Sequence, residues 1–200
     1  MLEPSYFDFG SVTVPSAALD DLLAELNAEI LEAHVSSVPA LQLQWQMLSA
    51  AARAQLAHCP FLLADAGFAR QALWAGPPDF AVREAVPLRT LLANRSTLAA
   101  PLLRRMLSLA WYLARHNRLG ARIALGMSAS SASGLARWRQ MDLDALAERR
   151  PAWICPRWEQ HPDFWRALLE AAAHESQREI ERLQLWGLQK LAAEVRRKPD

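Results

Sequence analysis

Arginines and small hydroxyls are the residues of this chain whose types and spacing suit a chemical task. Between positions 118 and 139 stand Arg118, Arg122, Arg137 and Arg139, around Ser128, Ser130, Ser131 and Ser133. Guanidinium groups make paired hydrogen bonds to phosphate or carboxylate oxygens. Short hydroxyl side chains approach a groove closely enough to bond phosphates or base edges. The chemistry these residues suit is recognition of duplex DNA, not the making of bonds. Bidentate base readers are few, since the segment has no Asn or Gln between Gly126 and Gln140.

Other reactive side chains fall short of a mechanism. Cys59 precedes Pro60 in an apolar run, which suits a buried thiol. Cys155 has His161 near it in sequence, but nothing supplies an oxyanion hole or a third group. His174-Glu175 would need a second histidine at Arg178 to make a zinc-protease helix. Two cysteines build neither a disulfide framework nor a metal-binding spacing. The seven glycines are scattered, and no phosphate-cradling loop forms. The expectation is a non-enzymatic protein with no cofactor, no metal and no small-molecule substrate.

The arginines and serines require a frame. Ala121 to Leu125, Gly126, and Ser128 to Leu135 read as two short helices about a turn, a helix-turn-helix-like unit. Gly126 accepts the positive φ such a turn demands. Ser128 stands where a helix cap belongs. Leu125, Met127, Ala132 and Leu135 pin the two helices together, and the serines of the second helix are expected to face outward. Arg122 departs from the pattern, because the place four before the turn glycine is usually small. A plain corner between two helices would show the same local features, and the turn alone does not separate the two readings.

Charge tips the balance towards DNA. Residues 1–84 hold ten acids and three arginines; residues 85–141 hold nine arginines and no acid. The remaining 59 residues are nearly neutral, and the whole chain has a net charge of +1. An acid-free basic stretch suits phosphate. Pairing of that stretch with the acidic first third would explain the same split without nucleic acid.

Hydrophobic residues make up 52% of the chain, enough for a sizeable core. Helical periodicity dominates, so the fold class expected is all-α: an irregular helical bundle with a helix-turn-helix-like corner and a long C-terminal helix. Phe7, Phe9, Val12 and Val14 alternate as a short extended segment would. A helix opens at Pro15-Ser16 and ends near 34–37, and Pro39 starts another segment. Ser49 can cap a helix through Ala57, and Thr97 can cap one that tolerates Pro101 near its start. Further short helices are expected at 118–125, 129–139 and 142–149. The last helix runs from Pro162 to about Arg197, with Gly187 as its weak point, and its apolar stripe could serve as a dimer seam. The loop Ala75 to Asp79 suggests a boundary near residue 84. The expected regions are 1–84, 85–158 and 159–200, which one domain could still unite. Trp138, Trp153, Trp158 and Trp165 are expected as packing anchors. No secretory signal and no membrane-spanning run is apparent, so a cytoplasmic protein without membrane contact is expected.

From Leu107 to Trp158 the chain resembles the flagellar transcriptional activator FlhD family. The resemblance lies in Leu109 to Leu113, Ala124-Leu125-Gly126, Leu135-Ala136, Leu146-Ala147-Glu148, Cys155 and Arg157-Trp158. It covers about a quarter of the chain, and its closing cysteine is displaced by one place. It implies a helical, dimeric regulator that binds DNA alongside a partner activator, with Arg118 to Arg139 facing DNA. The expectation is thus a DNA-binding transcriptional regulator, with a protein partner or homodimer. The alternative is a helical adaptor or assembly factor that binds another protein, such as a flagellar or secretion-system accessory.

Overall fold

The computed structural model describes residues 6–9, 12–76 and 96–197, and the side chains of 17–76, 99–151 and 153–196. The alternating start pairs as an antiparallel hairpin of β1 (Tyr6–Phe9) and β2 (Val12–Pro15), with Phe7 opposite Val14. The chain then turns helical: α1 (Ser16–Ser37), α2 (Pro39–Met47) and α3 (Ala50–Ala57). Pro39 occupies the first turn of α2, where its missing N–H costs nothing. Ser49 caps α3, its Oγ accepting from the Ala52 N–H at 3.1 Å. Two residues of β3 (Ala64–Asp65) and the short α4 (Gln71–Trp74) close this half.

The second half runs α5 (Ser96–His116), α6 (Arg118–Leu125), α7 (Ala129–Leu135) and α8 (Gln140–Arg149). A single 3-10 turn, Pro151–Trp153, leads to β4 (Cys155–Pro156), which pairs antiparallel with β3. Two helices finish the fold, α9 (Pro162–Ala173) and α10 (Gln177–Arg197). The architecture is all-α, an irregular bundle in which the two ladders carry only a few residues.

Three helix boundaries differ from the sequence expectation, the first being α7, which ends at Leu135 and does not reach Arg139. Thr97 lies inside α5, which already runs at Ser96, so Pro101 sits well within the helix. The stretch 162–197 is two helices, not one. Glu175 takes φ 51°, while the Ser176 N–H donates to the Ala171 carbonyl and the Glu175 N–H to the Ala172 carbonyl. That is a Schellman ending, built on glutamate where glycine is usual. The long C-terminal helix is α10, 21 residues folded back on α9. Gly187 is a packing site, because a Cβ there would collide with the Phe61 ring.

One continuous core draws on all three expected regions: Leu26 and Ile30 of α1, Phe61 to Leu63, Leu103 and Met106 of α5, Leu146 of α8, Trp165 of α9 and Leu191 of α10. The boundary expected near residue 84 lies outside the described residues. Trp138, Trp153 and Trp165 are buried and Trp158 is half-buried, as expected of packing anchors.

Two buried polar side chains fasten the irregular segment after α3. Asn27 donates from Nδ2 to the carbonyls of Ala57 and Phe61 and accepts the Leu63 N–H at 2.9 Å. Arg157 donates to the carbonyls of Leu62 and Leu125. Buried carbonyls need such partners, and a non-helical stretch supplies few of its own.

Candidate interaction surface on helix α6

Sequence chemistry builds the corner as expected. Asn117 ends α5 and caps α6, its Oδ1 accepting the Gly120 N–H at 2.8 Å. Gly126 ends α6 with φ 65°, where a Cβ would stand 3.0 Å from Leu191. Ser128 caps α7 by accepting the Ser131 N–H at 3.0 Å. The large residue at 122 is accommodated because Ala121, one step round the helix, takes the inward place, and Arg122 is exposed.

The second helix is oriented against its expected role. Ser131, Ala132, Gly134 and Leu135 are buried, and Ser128 is buried with them. Gly134 lies so close to the Trp74 carbonyl that any side chain there would collide with it. The Ser128 hydroxyl bonds to the Ser131 hydroxyl at 3.0 Å and to Ser130 at 2.8 Å. Ser130 and Ser133 are only partly exposed, and within α7 Ala129 alone is exposed. The expected outward serine face is therefore corrected: α7 is wedged against α4 and α5, and its hydroxyls mainly close its own first turn.

The free surface belongs to α6. Arg118, Leu119, Arg122 and Ile123 are exposed, Leu119 at 65% and Ile123 at 47%. At the end of α5, Arg115 lies over the Trp111 ring, 4.6 Å from its centre. Among the described residues Arg118, Arg122 and Arg137 pair with no carboxylate. Other arginines of the acid-free stretch are engaged within the fold. Arg105 pairs with Glu25 and Glu29 of α1, and Arg104 with Asp144 and Glu148 of α8. Arg139 pairs with Asp142 at 3.2 Å, which holds the Asp142 carboxyl below its usual range. The charge split along the sequence is thus partly an internal pairing of α5 with α1.

Beside the free face, α1, α5 and α6 form a groove of about 180 Å³ lined by Leu19, Asp20, Leu23, Leu109, Leu113 and Ile123. Leu119 and Ile123 are the surface residues that the sequence reading passes over. Their signal was present: Ala121 and Leu125 already supply the inward contacts of this short helix, which leaves two large aliphatic residues on its other side.

Neither cysteine is activated. Burial pushes the Cys59 thiol up to about 12, and burial with the nearby Glu159 and Asp65 carboxylates pushes Cys155 up to about 11. A thiol so raised is a poor nucleophile at neutral pH. Among the described residues no group of three or more His, Cys, Asp or Glu could hold a metal ion, and no helix is long and apolar enough to cross a membrane. A wider groove of about 600 Å³ lies between α9 and α10, lined by Phe164, Arg182 and Trp186 among others.

No protein-family model, curated protein or solved structure matches the chain.

Proposed function

We propose that this chain is a helical adaptor that works by binding another protein through the outer face of α6. The observation that carries the reading is the pairing of exposed Leu119 and Ile123 with the unengaged Arg118 and Arg122 on one short helix. Aliphatic side chains gain by leaving water against an apolar partner. Arginines at their margin give such a contact orientation and specificity. The largely buried α7 speaks in the same direction, since only Ala129 and, in part, Ser130 and Ser133 are left to face a groove.

The test compares the immobilised full chain with its Leu119→Glu/Ile123→Glu variant. Both should fold alike, because these side chains are exposed. A protein retained by the parent and lost with the variant supports the reading. Equal retention by both would refute it.

A second reading is regulation through DNA, favoured by the same free arginines. On this reading Arg118, Arg122 and Arg137 contact phosphates and the serines do not. Titration against random duplex DNA at several salt concentrations decides it. Affinity falling steeply with salt, and lost in Arg118→Glu/Arg122→Glu, is expected if phosphates are neutralised.

A further inference from the structure

We infer that the cleft between the end of α1, the start of α2 and the start of α9 binds a neutral hydroxyarene of one or two rings, its hydroxyl bonded to the His34 imidazole. The cleft shares no lining residue with the groove beside α6, so the inference stands apart from the adaptor reading. The molecule is held as a ligand and not turned over as a substrate.

The observation that carries the inference is a polar ring left without a partner. His34 is only 4% exposed, and it lines the cleft. Among the described residues its Nε2 is closed off with no hydrogen-bond partner, and nothing bonds to Nδ1. Buried polar atoms are almost always hydrogen-bonded, and an exception calls for a cause. Packing does not supply one, since a phenylalanine would fill the place beside Trp165 without burying a polar atom. A lone water is poorly served, because the Ser37 hydroxyl at the rim already donates to the His34 carbonyl at 2.6 Å.

The surroundings set the class of ligand. Leu41, Pro156 and the Trp165 indole are buried beside the imidazole and make an apolar floor. Such a floor favours a flat ring. The cleft measures about 280 Å³. A cavity of about 150 Å³ takes benzene, so there is room for two fused rings. At the mouth stand Glu159 and Arg166, of opposite charge, and Arg166 is already held by Asp163 at 2.8 Å. Neither a cation nor an anion is selected there. Desolvation lowers the His34 pKa to about 4 and keeps the ring neutral at pH 7, so a buried ion would go uncompensated. A hydroxyl suits the ring in either tautomer, because it both donates and accepts.

The test is equilibrium dialysis of the full chain at pH 7 against 2-naphthol, 2-methylnaphthalene and 2-naphthoate. The parent should hold 2-naphthol with a Kd on the order of 100 μM, as expected of so small a ligand. The charged 2-naphthoate should bind at least about tenfold more weakly. His34→Phe should weaken 2-naphthol at least about fivefold and leave 2-methylnaphthalene within about twofold of the parent, because only the first uses the imidazole. Ala40→Trp should weaken both, since Ala40 lines the cleft and an indole there fills it. Ala40 is exposed, so this variant should fold whatever His34→Phe does. Circular dichroism spectra matching the parent show which variants fold.

A parent that holds no 2-naphthol up to about 1 mM overturns the inference. So does binding indifferent to Ala40→Trp, which places the ligand elsewhere. A folded His34→Phe that holds 2-naphthol as the parent does, or loses both ligands equally, removes the imidazole as its partner and the inference with it. If 2-naphthoate binds as tightly as 2-naphthol, the neutral class falls.

Discussion

The guanidinium of Arg157 donates from Nη2 to the Leu125 carbonyl oxygen at 2.6 Å, and so holds the last turn of α6 from a residue 32 positions away. Its Nε donates to the Leu62 carbonyl at 2.7 Å, while its own N–H meets the Leu63 carbonyl at 2.9 Å. A cation suits the negative end of a helix. Burial disfavours this charge and lowers the Arg157 pKa, an effect the Asp65 and Glu194 carboxylates oppose. The exposed face of α6 thus depends on a side chain that never reaches the surface.

Arg157→Met should therefore destabilise the protein by about 3 kcal/mol, because two buried carbonyls lose charged donors. Thermal unfolding should show the midpoint falling by roughly 10 °C for a chain of this size. Arg157→Lys should recover only part of the loss, since an ammonium lacks the fork that reaches both oxygens. An unchanged midpoint in Arg157→Met would remove the clamp from the account.

Asn27→Leu should cost about 3 kcal/mol or more by urea unfolding, because it strips partners from several buried backbone groups at once. Asn27→Asp should also be destabilising. It keeps the acceptor for the Leu63 N–H and loses the donor that serves the Ala57 and Phe61 carbonyls. A variant as stable as the parent would show that the 57–63 segment does not depend on this side chain.

His34 predicts a pH dependence. Its ring is buried 4.4 Å from the Trp165 ring, and desolvation lowers its pKa from 6.5 to about 4. Among the described residues its Nε2 has no hydrogen-bond partner. Between those two values the unfolded chain binds a proton that the folded chain does not. Stability should then fall as the pH drops from about 6.5 to about 4, by up to about 3 kcal/mol in all, and change little from this group above that range. His34→Phe should flatten that slope in urea unfolding measured from pH 4 to 7. A slope identical in parent and variant would assign the dependence to other groups.

Gly134→Val should destabilise by about 2 kcal/mol or more, because the new side chain meets the Trp74 carbonyl with no room to turn aside. Thermal melts of Gly134→Val and of the exposed Ala129→Val separate a wedged helix from a free one. Similar losses in both would contradict the placement of α7.

Much of this fold is legible in the sequence, because it rests on local signals. The caps at Ser49 and Ser128 and the turn at Gly126 are carried by residue types suited to one conformation. The break at Glu175 is not legible, since neither Gly nor Pro marks it and glutamate takes the left-handed conformation only because the C-terminal hairpin requires it. The candidate site divides in the same way. The corner and its arginines follow from spacing. The orientation of α7 depends on contact with Trp74, 60 positions away from Gly134, and no local pattern reports that. Arg157 is likewise hidden, because an arginine in a tryptophan-rich turn gives no sign that it will be buried.

The central claim is that α6, and not α7, meets the partner. Its most direct test places a photo-crosslinking residue at Leu119, at Ile123 or at Ala129 in living cells, followed by mass spectrometry of the adducts. The account predicts a discrete protein adduct from Leu119 and Ile123 and none from Ala129, whether the captured protein is this chain or another. Adducts to DNA alone, or protein adducts from Ala129 alone, would contradict it.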